Sequence, residues 1–151
     1  MVSALFWLLQ DLLTVLVWGM MQVPELFLLT VVYRLLSEEG DDRLWAIWTA
    51  FLGGLVWDLR WIGVPGFFTL GYVCVVMLVL WVWNALPVQG RTPLIVFALL
   101  EVSQLLPPLL PVLILGGDTG GVFFALQQLF ALPGVLLCVY LYSKRLKEHH
   151  A

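Results

Sequence analysis

The chain has 151 residues, of which 62% are hydrophobic and 11% charged, with a mean hydropathy of +1.01. A soluble domain carries about 25% charged residues, so this composition excludes a soluble enzyme, a nucleic-acid binder and a disordered chain. The net charge of −3, with seven Lys and Arg in all, offers no basic patch for a phosphate backbone.

At roughly 22–25 residues per crossing and turn, the length accommodates about six membrane crossings. No Lys or Arg precedes Arg34, so the positive start of a secretory signal peptide is missing and the first apolar run reads as a crossing. It covers about 5–21, interrupted by Gln10, Asp11 and Thr14, and Val23-Pro24 ends it because proline lacks the N–H a helix interior needs. A second, short crossing is expected over about 24–36. The segment Ser37-Glu38-Glu39-Gly40-Asp41-Asp42-Arg43 is the most polar of the chain and belongs in water. A third crossing is expected over 44–59, then a turn at Gly63, Pro65 and Gly66.

The fourth runs over 67–86. The fifth, over 93–115, has Thr92 as a candidate N-cap and Pro93 at the first helical position; Pro107, Pro108 and Pro111 should bend or break it. After the glycine-rich turn 116–121 comes a sixth crossing over 122–142 and a basic tail with Lys144, Arg145, Lys147, His149 and His150. The expectation is an all-α integral membrane protein, a single bundle of about six helices.

Placing the tail in the cytoplasm puts Arg34, Arg43, Arg91, Lys144, Arg145 and Lys147 inside and only Arg60 outside, which is the positive-inside bias. Both termini are then cytoplasmic. Trp45, Trp81, Trp83, Tyr140 and Tyr142 fall at inner ends and Trp18, Trp57 and Trp61 at outer ends, depths that these residues favour.

Ionisable groups within apolar helices are costly and call for a reason. Asp11, Glu101, Gln104 and Gln127 are the buried polar candidates. They either line a pocket for a solute or proton, or serve as hydrogen-bonding links between helices. In the third crossing Ala46, Ala50 and Gly54 follow at four-residue steps beside Gly53, and Asp58 continues the stripe. Small residues at this spacing allow close helix approach, either within the bundle or by a partner's helix. Asp118-Thr119-Gly120 spells the aspartic-protease triplet, but that chemistry needs two carboxylates and no second copy exists. Cys74 and Cys138 read as reduced core residues, with no disulfide and no metal site. No cofactor, metal or catalytic apparatus is expected.

Val23-Pro24-Glu25-Leu26-Phe27-Leu28-Leu29, followed by Phe51-Leu52-Gly53-Gly54-Leu55-Val56-Trp57-Asp58-Leu59 and Gly63-Val64-Pro65-Gly66, resembles the bacterial rod shape-determining MreD family. Leu132-Pro133-Gly134 ahead of a basic tail is similar to that family's last helix. Glu25 stands where the family usually has Asp or Asn, and only Gly54 keeps the four-residue step to Asp58. The resemblance implies a fold similar to the substrate-binding subunits of energy-coupling-factor transporters. It also implies a non-catalytic scaffold in the inner membrane, supporting cell shape and peptidoglycan synthesis. Its partners would be the transmembrane helix of MreC and, indirectly, MreB, RodA and the RodA-associated penicillin-binding transpeptidase, with a homodimer left open. Pro24 and Glu25 would then shape the turn before the second helix, and Gly54 and Asp58 would hold the third against its neighbours. The rival expectation is a vitamin-type solute-binding transporter subunit using the Asp11, Glu101, Gln104 and Gln127 group.

Overall fold

The computed structural model describes residues 2–17, 22–38, 40–60, 65–116 and 121–150. Among the described residues the chain is all helical: α1 (Val2–Leu16), α2 (Leu26–Ser37), α3 (Asp41–Arg60), α4 (Phe67–Ala85), a three-residue 3-10 turn at Val88–Gly90, α5 (Pro93–Leu115) and α6 (Gly121–His150). Three are long and apolar enough to cross a membrane: α4, Pro93–Leu110 of α5, and Gly121–Glu148 of α6. α1 and α2 are apolar but have only 15 and 12 residues. α3 has 20 residues, yet charges occupy both its ends, Asp41-Asp42-Arg43 and Asp58 with Arg60.

Helix boundaries depart from the expected crossings in two informative places. The second helix starts at Leu26, because Pro24 and Glu25 are non-helical, with Glu25 turned at φ −77°, ψ 65°, and both are buried inside the protein. The last helix does not stop at Tyr142 but carries the basic tail on to His150 as continuous helix. Pro107, Pro108 and Pro111 do not end α5, which runs to Leu115.

The shortest of these helices forms the centre. α2 packs against α1, α3, α4, α5 and α6, and Phe27, Leu28, Leu29, Val31, Val32, Leu35 and Leu36 are all buried. Around it lie Ala46 and Ala50 of α3, Tyr72, Val75, Val76, Val79 and Trp83 of α4, Val96, Leu99 and Leu100 of α5, and Val135 of α6. α1 is inverted with respect to a water-facing amphipathic helix. Its buried residues are Ser3 and Gln10, while Leu5, Leu8, Leu12 and Leu16 face outward. Water would penalise such a surface, whereas hydrocarbon accepts it. The same holds for Leu59, Trp81, Leu94 and Leu113, each more than two-thirds exposed.

Six of the seven cations gather at the end of the bundle that carries the α2–α3 and α4–α5 connections and the α6 tail. There the Arg91 guanidinium lies 5.1 Å over the Trp83 ring, Tyr142 donates to the Arg91 carbonyl (3.3 Å), and Arg145 sits 6.0 Å over Tyr33. Arg43 donates from Nε to the carbonyls of Leu35 and Glu38, closing the C-terminus of α2.

Candidate functional site: a buried polar joint at the start of α2

A helix N-terminus leaves backbone N–H groups without partners. In most helices a Ser, Thr, Asp or Asn at the N-cap answers one of them. At α2 the N-cap is Glu25, whose own side chain makes no capping bond. Other helices supply what is missing. The Gln104 side chain of α5 takes both backbone groups of residue 25: its Oε1 accepts the Glu25 N–H (3.0 Å) and its Nε2 donates to the Glu25 carbonyl (3.1 Å). Gln10 of α1 accepts the Phe27 N–H on Oε1 (2.9 Å) and donates from Nε2 to Glu25 Oε2 (2.7 Å). Gln127 of α6 donates to the Val23 carbonyl (3.2 Å), and the Leu26 N–H turns back to the Pro24 carbonyl (2.8 Å).

The carboxylate is held as firmly as the backbone. Tyr72 of α4 donates its hydroxyl to Glu25 Oε2 at 2.5 Å, and Glu25, Tyr72, Gln10 and Gln104 are all buried. The positive end of the α2 dipole lies beside this carboxylate. Gln10, Tyr72 and Gln127 sit about 8–9 Å inside the nearer ends of their helices, at 1.5 Å per residue. Non-helical backbone at such depth survives only where protein surrounds it, and four helices do so here.

Pro108 of α5 belongs to the same joint. Pro108 cannot donate to the Gln104 carbonyl, as a residue four positions on would in a regular helix. Gln128 of α6 supplies the missing bond, donating from Nε2 at 3.4 Å. The start of α2 and the Gln104 carbonyl are thus both served by glutamines from neighbouring helices.

The small-residue stripe of α3 forms a second joint, about one turn nearer the Pro65 end. A Cβ on Gly54 would lie 2.6 Å from the Thr69 Cα and 2.9 Å from its nitrogen, so α4 crosses directly on this glycine. A Cβ on the adjoining Gly53 would overlap the ring of Phe27. Ala46 and Ala50 are buried in the core. Of the two readings of this stripe, approach within the bundle or by a partner's helix, packing within the bundle is what Gly53 and Gly54 show: α2 lies against the first and α4 against the second. Asp58 completes the contact by capping α4 from outside the helix. Its Oδ1 accepts the Phe68 N–H (2.9 Å) and its Oδ2 the Thr69 N–H (3.0 Å) and hydroxyl (2.5 Å). Gly66, at φ +82°, turns the chain into α4 in a conformation that side chains rarely adopt. Pro133 is exposed on α6; the next residue, Gly134, lies against α2, where a Cβ would be 3.0 Å from Leu29 Cδ2.

Of the four polar residues expected to converge, Gln104 and Gln127 meet at the α2 joint and the other two do not. Asp11 pairs with Arg60 across α1 and α3 (3.3 Å), beside the perpendicular Trp7–Trp57 pair (5.5 Å). Glu101 lies on the flank of α5, partly exposed, with its Oε1 buried and without a hydrogen-bond partner. Gln10 and Tyr72 complete the joint and were not singled out from sequence as site residues. A glutamine within the leucine-rich first helix was the available signal for Gln10; Tyr72 gave none beyond a hydroxyl in an apolar run. Asp118-Thr119-Gly120, Gly63, Trp18, Trp61 and Glu39, and the side chains of His149 and His150, lie outside the described residues.

The cleft lined by Phe67, Phe68, Gly71, Tyr72, Pro107 and Leu110 encloses about 10 Å³, room for about one water. No family model, curated protein or solved structure matches the chain.

Proposed function

We propose that this chain is a non-catalytic scaffold of the bacterial rod complex, an MreD-like inner-membrane protein that binds the transmembrane helix of MreC. In this reading all six helices are embedded in the bilayer, in a fold of the energy-coupling-factor substrate-subunit type, with both termini cytoplasmic. Through MreC it connects the MreB filament to RodA and its transpeptidase. The observation that carries the reading is the coincidence of motif and geometry. Pro24-Glu25 and Gly54–Asp58, the residues that bear the family resemblance, form the two joints that hold the bundle together. The side chains of Gln10, Glu25, Tyr72, Gln104 and Asp58 at those joints hydrogen-bond to the protein's own backbone and to each other, while Gln127 Oε1 and Gln128 Oε1 are buried without a partner. That arrangement suits a rigid body to be gripped rather than a vessel to be filled. The test is retention of MreC when the tagged chain is extracted in mild detergent from its native membrane. MreC in the eluate supports the scaffold; its absence, with the chain intact, contradicts it.

A second reading rests on one specific observation: a carboxylate and three glutamines meet where a helix starts inside the protein, an architecture that transporters use to bind solutes. A vitamin-type substrate subunit would then have to open the Gln10–Glu25–Gln104 bonds to admit its ligand. Saturable binding of such a ligand to the purified chain, lost in Glu25→Gln, would favour it.

A further inference from the structure

We propose that the flank of α5 around Glu101 is the docking face for another protein's transmembrane helix, which brings a hydrogen-bond donor to the Glu101 carboxyl. The inference rests on the scaffold reading and assigns it a surface. Glu101 is the ninth residue of the span Pro93–Leu110, hence at its midpoint, and the only ionisable side chain in it. The buried stripe of α5 comprises Val96, Leu99, Leu100, Ser103, Gln104 and Pro107, and at 100° per residue Glu101 lies more than a quarter-turn away from its centre. Unlike Glu25, which receives two donors, Glu101 leaves Oε1 buried without a partner while the rest of the side chain reaches the surface.

Hydrocarbon offers no donor at that depth, and a carboxyl there is costly unless protein supplies one. The neighbouring ridge suits a helix. Leu94 and Ala98 are exposed, Leu105 follows Glu101 by one turn, and the small side chain of Ala98 permits close approach beside the carboxyl. A second copy docking symmetrically would oppose the same patch to itself, setting carboxyl against carboxyl. A foreign helix carrying Ser, Thr, Asn, Gln, Lys or Arg answers the carboxyl directly. A lipid headgroup does not reach the midpoint of the span.

The test places the photoreactive residue benzoylphenylalanine at Leu105 in the full chain, with Leu137 on the outward face of α6 as control, in the native membrane. The expected result is a Leu105 adduct whose peptide is a transmembrane segment containing one of those donors, with no such adduct from Leu137. Glu101→Leu should lower its yield at least about threefold and Ala98→Trp should block it, whereas Glu101→Gln retains it. Adducts only to lipid, only to the chain itself, or in equal yield from Glu101→Leu and wild type would overturn the proposal. MreC co-purification is measured on the same membranes. If MreC stays bound while the Leu105 result fails, only the assignment of this face falls; if wild type retains no MreC, the scaffold reading falls.

Discussion

Gln10 is a polar residue in a leucine-rich helix, and its two hydrogen bonds are what make it indispensable. Replacing it with Leu leaves the Phe27 N–H and one side of the Glu25 carboxylate without partners in a dry interior. An orphaned buried polar group costs about 1–3 kcal/mol, and exchanges between polar partners within membranes lie toward the low end. Gln10→Leu should therefore destabilise the protein by roughly 1 kcal/mol or more, read as a lower unfolding temperature in detergent, although the substitution makes α1 more apolar. Leu8→Ala, two residues away and facing outward, should change it by less than about 0.5 kcal/mol. The reverse order would mean that α1 is turned the other way. Gly54 and Asp58 make a matched pair of tests at the other joint. Gly54→Leu should fail to accumulate as folded protein, because the displaced atoms are the backbone of α4 at Thr69. Asp58→Ala should still fold, with a loss of about 1–2 kcal/mol as expected for a missing N-cap.

At the scale of elements, the bundle is organised around a helix too short to reach across a bilayer. α2 spans about 18 Å at 1.5 Å per residue, against a hydrocarbon core of about 30 Å. The non-helical Pro24-Glu25 segment leads the chain into α2, and five helices surround that helix. Amide hydrogen exchange in detergent should therefore find Leu28–Leu36 the slowest segment of the molecule. The first turns of α6, whose Val122 and Phe123 are exposed, should exchange much faster. Short helices commonly fray, so rapid exchange throughout α2 would contradict its central position. Where each helix lies was readable from apolar runs, proline and glycine. Which helix lies inside was not. Leu28 is fully buried and Leu8 is 59% exposed, yet both sit in similar leucine-rich runs, because lipid and protein interior select the same side chains. Periodicity separates faces only when one of them meets water.

For the whole molecule, the same physics explains which parts of the site were legible. The four-residue step Ala46–Ala50–Gly54 announces close helix approach, but the sequence does not say whose helix; the answer, Thr69 of α4 and Phe27 of α2, depends on how the bundle closes. Gln104 and Gln127 were conspicuous as polar residues in apolar spans. Their partners, Glu25 and Val23, lie 79 and 104 residues away along the chain, and no local pattern pairs them. Asp11 and Glu101 carry the same signal and belong elsewhere, one in a surface ion pair and the other on an outward flank. Together, the two joints bind the helices through bonds that a solute would have to break, and Glu101 interrupts the apolar flank formed by Leu94, Ala98 and Leu105 of α5.

Native mass spectrometry of the chain released from its own membrane tests this account most directly. The account predicts that the chain flies with MreC bound and with no vitamin-sized molecule attached, in wild type and Glu25→Gln alike. A small ligand bound one-to-one in wild type and absent from Glu25→Gln, with no MreC in either, would contradict it.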